Sequence, residues 1–206
     1  MTIASLLRHH GIDVPKYVTV SGRIIFDGVT KSASGDHVHN EFGVVTPVAS
    51  HTFHGGAAVV DSRSENDSVW WENVNMIQPH IDAMSNSFPG FRYQPAIAES
   101  GPYWRGTIDT GRGKFDVGVF LRQDQKIPRV RVLNKFQLGV SVNGGWRASP
   151  HLYDNGNLCV AGSSDWIAGI HTAATATAWA AHWLAAYTEW RFTRVWPADG
   201  ARFADA

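Results

Sequence analysis

Residues 149–160 read SPHLYDNGNLCV, and the stretch contains Cys159, the only cysteine among 206 residues. What that cysteine is for turns on its neighbours. A buried packing cysteine is chemically inert, whereas a nucleophile needs thiolate character and an open approach. Gly156, three residues upstream, marks a turn, and His151, eight residues upstream, has two ring nitrogens that can donate or accept. A loop of this kind after a set of strands can present a reactive thiol.

The chain on either side supplies the strands. Residues 92–98, 103–109, 115–121 and 129–133 are short runs rich in β-branched and aromatic side chains, parted by turn formers at 99–102 and 111–113. That spacing predicts an antiparallel meander. Residues 134–165 read as irregular, with Gly144 and Gly145 inside them. Before the meander, Trp71, Val74, Ile77, Ile81, Met84 and Phe88 recur three or four apart, the stripe of a one-faced helix. Pro79 conflicts with a helix interior, so the helix is expected to start near Gln78 and to end before Phe88. From Trp166 the chain is expected to be helical, with Trp179, Trp183, Tyr187 and Trp190 in register among alanines, until Trp196-Pro197 stops it. Helix, four strands, a loop holding Cys159 and closing helices make residues 71–206 an α+β domain. Residues 16–26, 41–48 and 57–60 read as short strands, and the polar run DSRSENDS at 61–68 divides them from the rest. Residues 1–70 are therefore expected to form a β-rich N-terminal extension.

Composition narrows the partners. Lys plus Arg and Asp plus Glu both number 18, so there is no basic excess to favour nucleic acid or an acidic membrane surface. One cysteine cannot make an internal disulfide framework. The opening residues lack the apolar core of a signal peptide, and no run approaches the roughly 20 apolar residues of a membrane span. A cytoplasmic protein is expected.

Pro150, the Leu152-Tyr153 pair, Gly156, Leu158 and Cys159 fall without a gap on a known pattern. The stretch resembles the active-site signature of the ubiquitin-conjugating enzymes, in which a His-Pro-Asn triplet precedes the catalytic cysteine. Phe88-Pro89-Gly90-Phe91, Trp104-Arg105-Gly106, Trp166 and the residues Trp183-Leu184, Tyr187, Glu189-Trp190 and Trp196-Pro197 extend the likeness over about residues 75 to 200, and the last group is similar to the closing helix of bacterial members. Ser149 stands in place of the triplet's His, and His151 in place of its Asn. The proline-rich turn after the third strand is reduced to Pro128.

The resemblance implies a ubiquitin-conjugating-enzyme-like fold and a place in a bacterial antiviral or modification operon. It implies that Cys159 accepts a ubiquitin-like modifier, or the C-terminus of a cyclic-oligonucleotide synthase, from a separate activating enzyme and passes it to a target amine. No cofactor is implied. His151 would stabilise the oxyanion, Asp165 or Asp154 would assist the amine, and Tyr153 would support the loop. Two alternatives use the same residues: an inactive adaptor of this fold, and a hydrolase pairing Cys159 with His151 or His171.

The histidines near the start raise a separate question. His37, His39, His51 and His54 form two pairs, and imidazole pairs on strands can hold a transition metal. No cysteine or well-spaced acid completes the set, so hydrogen-bonded structural histidines are expected there, with no metal.

Overall fold

A computed structural model describes residues 15–53, 69–97, 101–135 and 137–197. Tyr17–Thr19 (β1) and Ile24–Ile25 (β2) are antiparallel arms turned at Gly22, whose φ is 93°. The single strand anticipated over residues 16–26 is thus folded back on itself. Glycine is required at the turn, because a Cβ on Gly22 would lie 2.7 Å from Ile108 Cγ2. Val29–Lys31 (β3), His37–His39 (β4) and Gly43–Pro47 (β5) complete a five-stranded sheet in the order β2-β1-β5-β4-β3. The strand and boundary anticipated at 57–60 and 61–68 lie outside the described residues.

A 3₁₀ turn at Trp70–Glu72 leads into the helix Val74–Ser87 (α1). It begins four residues before the expected Gln78, because Asn73 caps it by accepting from the Asn75 N–H at 3.0 Å. Pro79 sits inside it on an exposed face. There the Asn75 carbonyl, deprived of its helical donor, can be hydrated.

The meander follows: Arg92–Gln94 (β6), Tyr103–Asp109 (β7), Lys114–Phe120 (β8) and Arg129–Val132 (β9), antiparallel in that order. The Asp109 N–H donates to the Ser21 carbonyl at 2.8 Å, so the β1–β2 turn is fastened to the end of β7. The region expected to be irregular instead contains a hairpin, Gly139–Val142 (β10) with Gly145–Ala148 (β11), turned at Asn143 and Gly144.

Ala173–Thr193 (α2) is the closing helix. It starts seven residues later than Trp166, after a 3₁₀ turn at Ser163–Asp165 and an extended loop, and it ends at a left-handed Arg194 before Trp196 is reached. It is apolar on every side, and a helix of that kind belongs inside a core. It packs on α1, β1, β2, β8 and β9. Trp179, Trp183, Tyr187 and Trp190 are all buried, each worth roughly 1.5–3 kcal/mol or more as its apolar area leaves water. Val18 and Phe53 share this core with the meander. The architecture is α+β, with two helices and three antiparallel sheets among the described residues.

Candidate active site

The cysteine loop is built as a tight hairpin. Leu152 pairs with Leu158, the Tyr153 N–H donates to Asn157 O at 2.9 Å, and the Gly156 N–H donates to Tyr153 O at 2.8 Å. Gly156 takes a φ of 81°, which glycine adopts at no steric cost. The Leu158 N–H reaches the Val130 carbonyl of β9 at 2.8 Å, anchoring the loop to the sheet edge. Cys159 follows immediately, with a relative exposure of 0%.

His151 meets Cys159 through the main chain. Its carbonyl accepts the Cys159 N–H at 3.1 Å and the Trp183 Nε1–H at 2.9 Å. These two bonds hold a left-handed residue, φ 55°, a conformation costing a β-carbon-bearing side chain roughly 1–2 kcal/mol. Asparagine tolerates this conformation well, and it is the residue that the resembling motif has at this position. The His151 ring is buried 5.0 Å from Trp196 and 5.8 Å from Phe53.

The Tyr153 hydroxyl is within hydrogen-bonding reach of the Cys159 side chain. Burial pushes its phenol well above the ordinary value, the cysteine adds to the rise, and the Arg122 charge opposes it. Tyr153 is therefore a neutral hydroxyl throughout the working range of pH.

Beside it lies a groove of about 540 Å³, with Ile127, Pro128, Leu158, Val160 and Trp166 among its apolar walls. Arg122 and Asp124 lie on its polar side with side chains only 7% and 8% exposed. Arg122 Nε donates to Asp124 Oδ1 at 2.8 Å and Nη2 to Oδ2 at 2.6 Å, a bidentate pair. Partial burial raises the Asp124 carboxyl, but Arg122 and the Lys126 N–H outweigh it and hold it below the usual carboxylate range. Trp70 Nε1 donates to the Arg122 carbonyl and Trp166 Nε1 to that of Gln125, both at 2.8 Å, so the turn carrying the pair is pinned at both ends.

The two candidate acids differ. Asp154 is exposed on the hairpin turn. Asp165 accepts from the Thr52 N–H at 2.8 Å, the Thr52 hydroxyl at 3.0 Å and the Gly162 N–H at 2.9 Å. Partial burial pushes its carboxyl up, and these bonds, helped by nearby His51, bring it below the ordinary value. His171 accepts the Ile167 N–H at its Nδ1, 3.0 Å away, and lies tilted against Trp166 and edge-on to Trp179.

The early histidines are spread through the fold. His39 Nδ1 accepts the Glu41 N–H at 3.0 Å and the Phe42 N–H at 3.3 Å, capping the β4–β5 turn, while His37 lies against Tyr17. His51 Nδ1–H donates to the Ala49 carbonyl at 2.8 Å, leaving Nε2 to accept from His182 Nδ1–H at 3.1 Å. His54 lies outside the described residues. No group of three or more potential metal ligands occurs among the described residues.

The sequence does not single out Arg122 and Asp124, which line the groove, because an Arg and an Asp two apart at a strand end are commonplace until their burial is known. No helix among the described residues is long and apolar enough to cross a membrane. The family described as Type II CBASS E2 protein matches residues 80–203, a span that includes the meander, the cysteine loop and α2. No curated protein and no solved structure matches the chain.

Proposed function

The chain belongs to the Type II CBASS E2 family, E2-like proteins of bacterial antiphage conjugation, and on that premise we propose that Cys159 carries an acyl group as a thioester. The observation that supports this most is the contact between the Tyr153 hydroxyl and the Cys159 sulfur at the side of a formed groove. The Cys159 thiolate attacks the carbonyl carbon of a thioester presented by a separate activating enzyme. The new C–S bond forms as the old one breaks, and the donor leaves as a thiolate that takes up a proton. The acyl group is the C-terminus of a ubiquitin-like modifier or of a cyclic-oligonucleotide synthase. A target amine then attacks the same carbon and gives its proton to water or a nearby base, and Cys159 departs as thiolate. His151 is the proposed stabiliser of the oxyanion, by way of the loop conformation its carbonyl fixes. Asp154 is better disposed than Asp165 to meet an incoming amine, since Asp165 is already occupied by three donors.

We propose also that residues 71–206 form the ubiquitin-conjugating-like unit, with residues 1–70 extending it. No cofactor enters the scheme: its first step is a near-neutral exchange between thioesters, and its second is the favourable aminolysis of a thioester. The complete burial of Cys159 favours a second reading, an adaptor of the same fold that binds partners without carrying a thioester.

A charging assay decides between the two. The protein is mixed with the activating enzyme and modifier encoded beside it, and adducts are resolved on a non-reducing gel. The carrier reading expects a thiol-sensitive adduct that disappears in Cys159→Ala. No adduct with a demonstrably active partner, together with undiminished partner binding by Cys159→Ala, establishes the adaptor.

A further inference from the structure

Cys159 is fully enclosed, flanked by Leu158, Val160 and Ala161, all buried. An apolar enclosure disfavours a thiolate, so a cysteine meant to react there needs a compensating donor. One polar hydrogen that meets this need belongs to Tyr153, whose hydroxyl contacts the sulfur. Behind Tyr153 is a fixed positive charge. Arg122 is near enough to act electrostatically on the phenol, it lines the same groove, and its fork is locked by Asp124 through bonds of 2.8 and 2.6 Å. The Arg122 main chain is held in turn by Trp70.

The geometry points to a three-residue support for the Cys159 sulfur, two members of which lie outside the sequence signature: Tyr153 donates its O–H to the thiolate, Arg122 supplies the adjacent positive field, and Asp124 orients Arg122. Tyr153 touches the reacting atom, while Arg122 and Asp124 act through it as positioning residues. Before transfer, the Tyr153 hydroxyl stabilises the nucleophilic sulfur. When the target amine displaces the acyl group, the same hydroxyl receives the departing thiolate. The proton stays on the phenol oxygen in both steps, and the proton lost by the amine goes to water or a nearby base. A neutral phenol suits this task because it remains a donor at every pH at which the thiolate is wanted.

The inference rests on the reading of Cys159 as a reactive cysteine, but its test does not use conjugation. Because Cys159 is the only cysteine, the rate of iodoacetamide alkylation followed by intact mass reports on this one thiol, and its midpoint against pH gives the thiol's ionisation. Tyr153→Phe keeps the ring and removes the donor. It is expected to move the midpoint up by about one unit, a roughly tenfold loss of thiolate below the midpoint. Arg122→Gln is expected to shift it less in the same direction, and Arg122→Lys to recover most of that shift. Arg122→Gln alone leaves Asp124 buried and unpaired, so Arg122→Gln with Asp124→Asn provides a neutral, hydrogen-bonded pair that keeps the turn. The same upward shift in that double variant supports the inference.

An unchanged midpoint in Tyr153→Phe overturns it, whatever happens to thermal stability. So does faster alkylation at an unmoved midpoint, which would make Tyr153 a cover and nothing more. A shifted midpoint in a protein that never forms a thioester adduct leaves the support standing and removes the carrier function instead.

Discussion

Two sets of buried and half-buried polar groups serve this protein in opposite ways. The first consists of imidazoles used as joints. His39 closes the β4–β5 turn, His51 and His182 bind residues 49–53 to α2, and His80 Nδ1 accepts the Ala173 N–H at 3.1 Å, fastening α1 to the start of α2. The second is Tyr153, Cys159, Arg122 and Asp124, where charged and ionisable groups line or adjoin a groove. The joints satisfy main-chain donors and acceptors and face packed aromatic rings. The second set is satisfied too, but Tyr153, Arg122 and Asp124 border space for a second molecule, and Tyr153 adjoins the proposed nucleophile. Burial alone does not set the two apart; what the groups face does.

The substitution reaching furthest into both sets is Trp183→Ala. It empties a fully buried site in α2 and releases the His151 carbonyl that shapes the cysteine loop. Large-to-small changes of this kind cost about 3–5 kcal/mol, so urea denaturation should show most of the stability lost and alkylation of Cys159 should speed up. Loss of stability with unchanged alkylation would separate the loop from the helix.

Acid should weaken the joints. Burial pushes His80 down to about 4 from the ordinary 6.5. The unfolded chain takes up the proton first, so the His80 contribution is whole above pH 6.5 and declines as pH falls toward 4. The full drop is on the order of 2 kcal/mol once partial exposure is discounted. His51, lowered chiefly by burial, adds in the same direction. His80→Asn keeps an acceptor for the Ala173 N–H and should flatten that part of the stability profile, measured by denaturation at several pH values.

Asp165→Asn distinguishes a joint from a catalytic acid. Replacing a carboxylate that accepts three bonds should cost about 1 kcal/mol, with the loss largest above the ordinary carboxylate range, where the folded-state anion is favoured. Amine transfer from a charged Cys159 should stay unchanged, and a large drop in that single-turnover rate would reinstate Asp165 as the base.

The smallest effect concerns an ion pair as short as the one in the pocket. Arg112 and Glu189 also meet at 2.6 Å, but their side chains are 62% and 41% exposed. Arg112→Gln should change stability by less than about 0.5 kcal/mol, well below the cost of breaking the buried Arg122–Asp124 pair in the same denaturation assay.

The sequence by itself determined the α+β class, the meander and the place of the cysteine loop, because turn residues and period-two alternation act locally. It placed β7 at residues 103–109, and β8 and β9 to within a residue. It missed the start of α1, where the cap on Asn73 outweighs a solvent-facing proline, and the β10–β11 hairpin, whose short arms carry little periodicity. It singled out Cys159, His151 and Tyr153 through a pattern of residue types. Only the tertiary structure decided that the Tyr153 hydroxyl reaches the Cys159 side chain and that Tyr153 shares a groove with the paired Arg122 and Asp124. It alone turned the histidines into joints to partners as far as 131 residues away. Charges and hydrogen-bond partners brought together by folding leave no periodic trace in the chain, since their meaning depends on what has been removed from water around them.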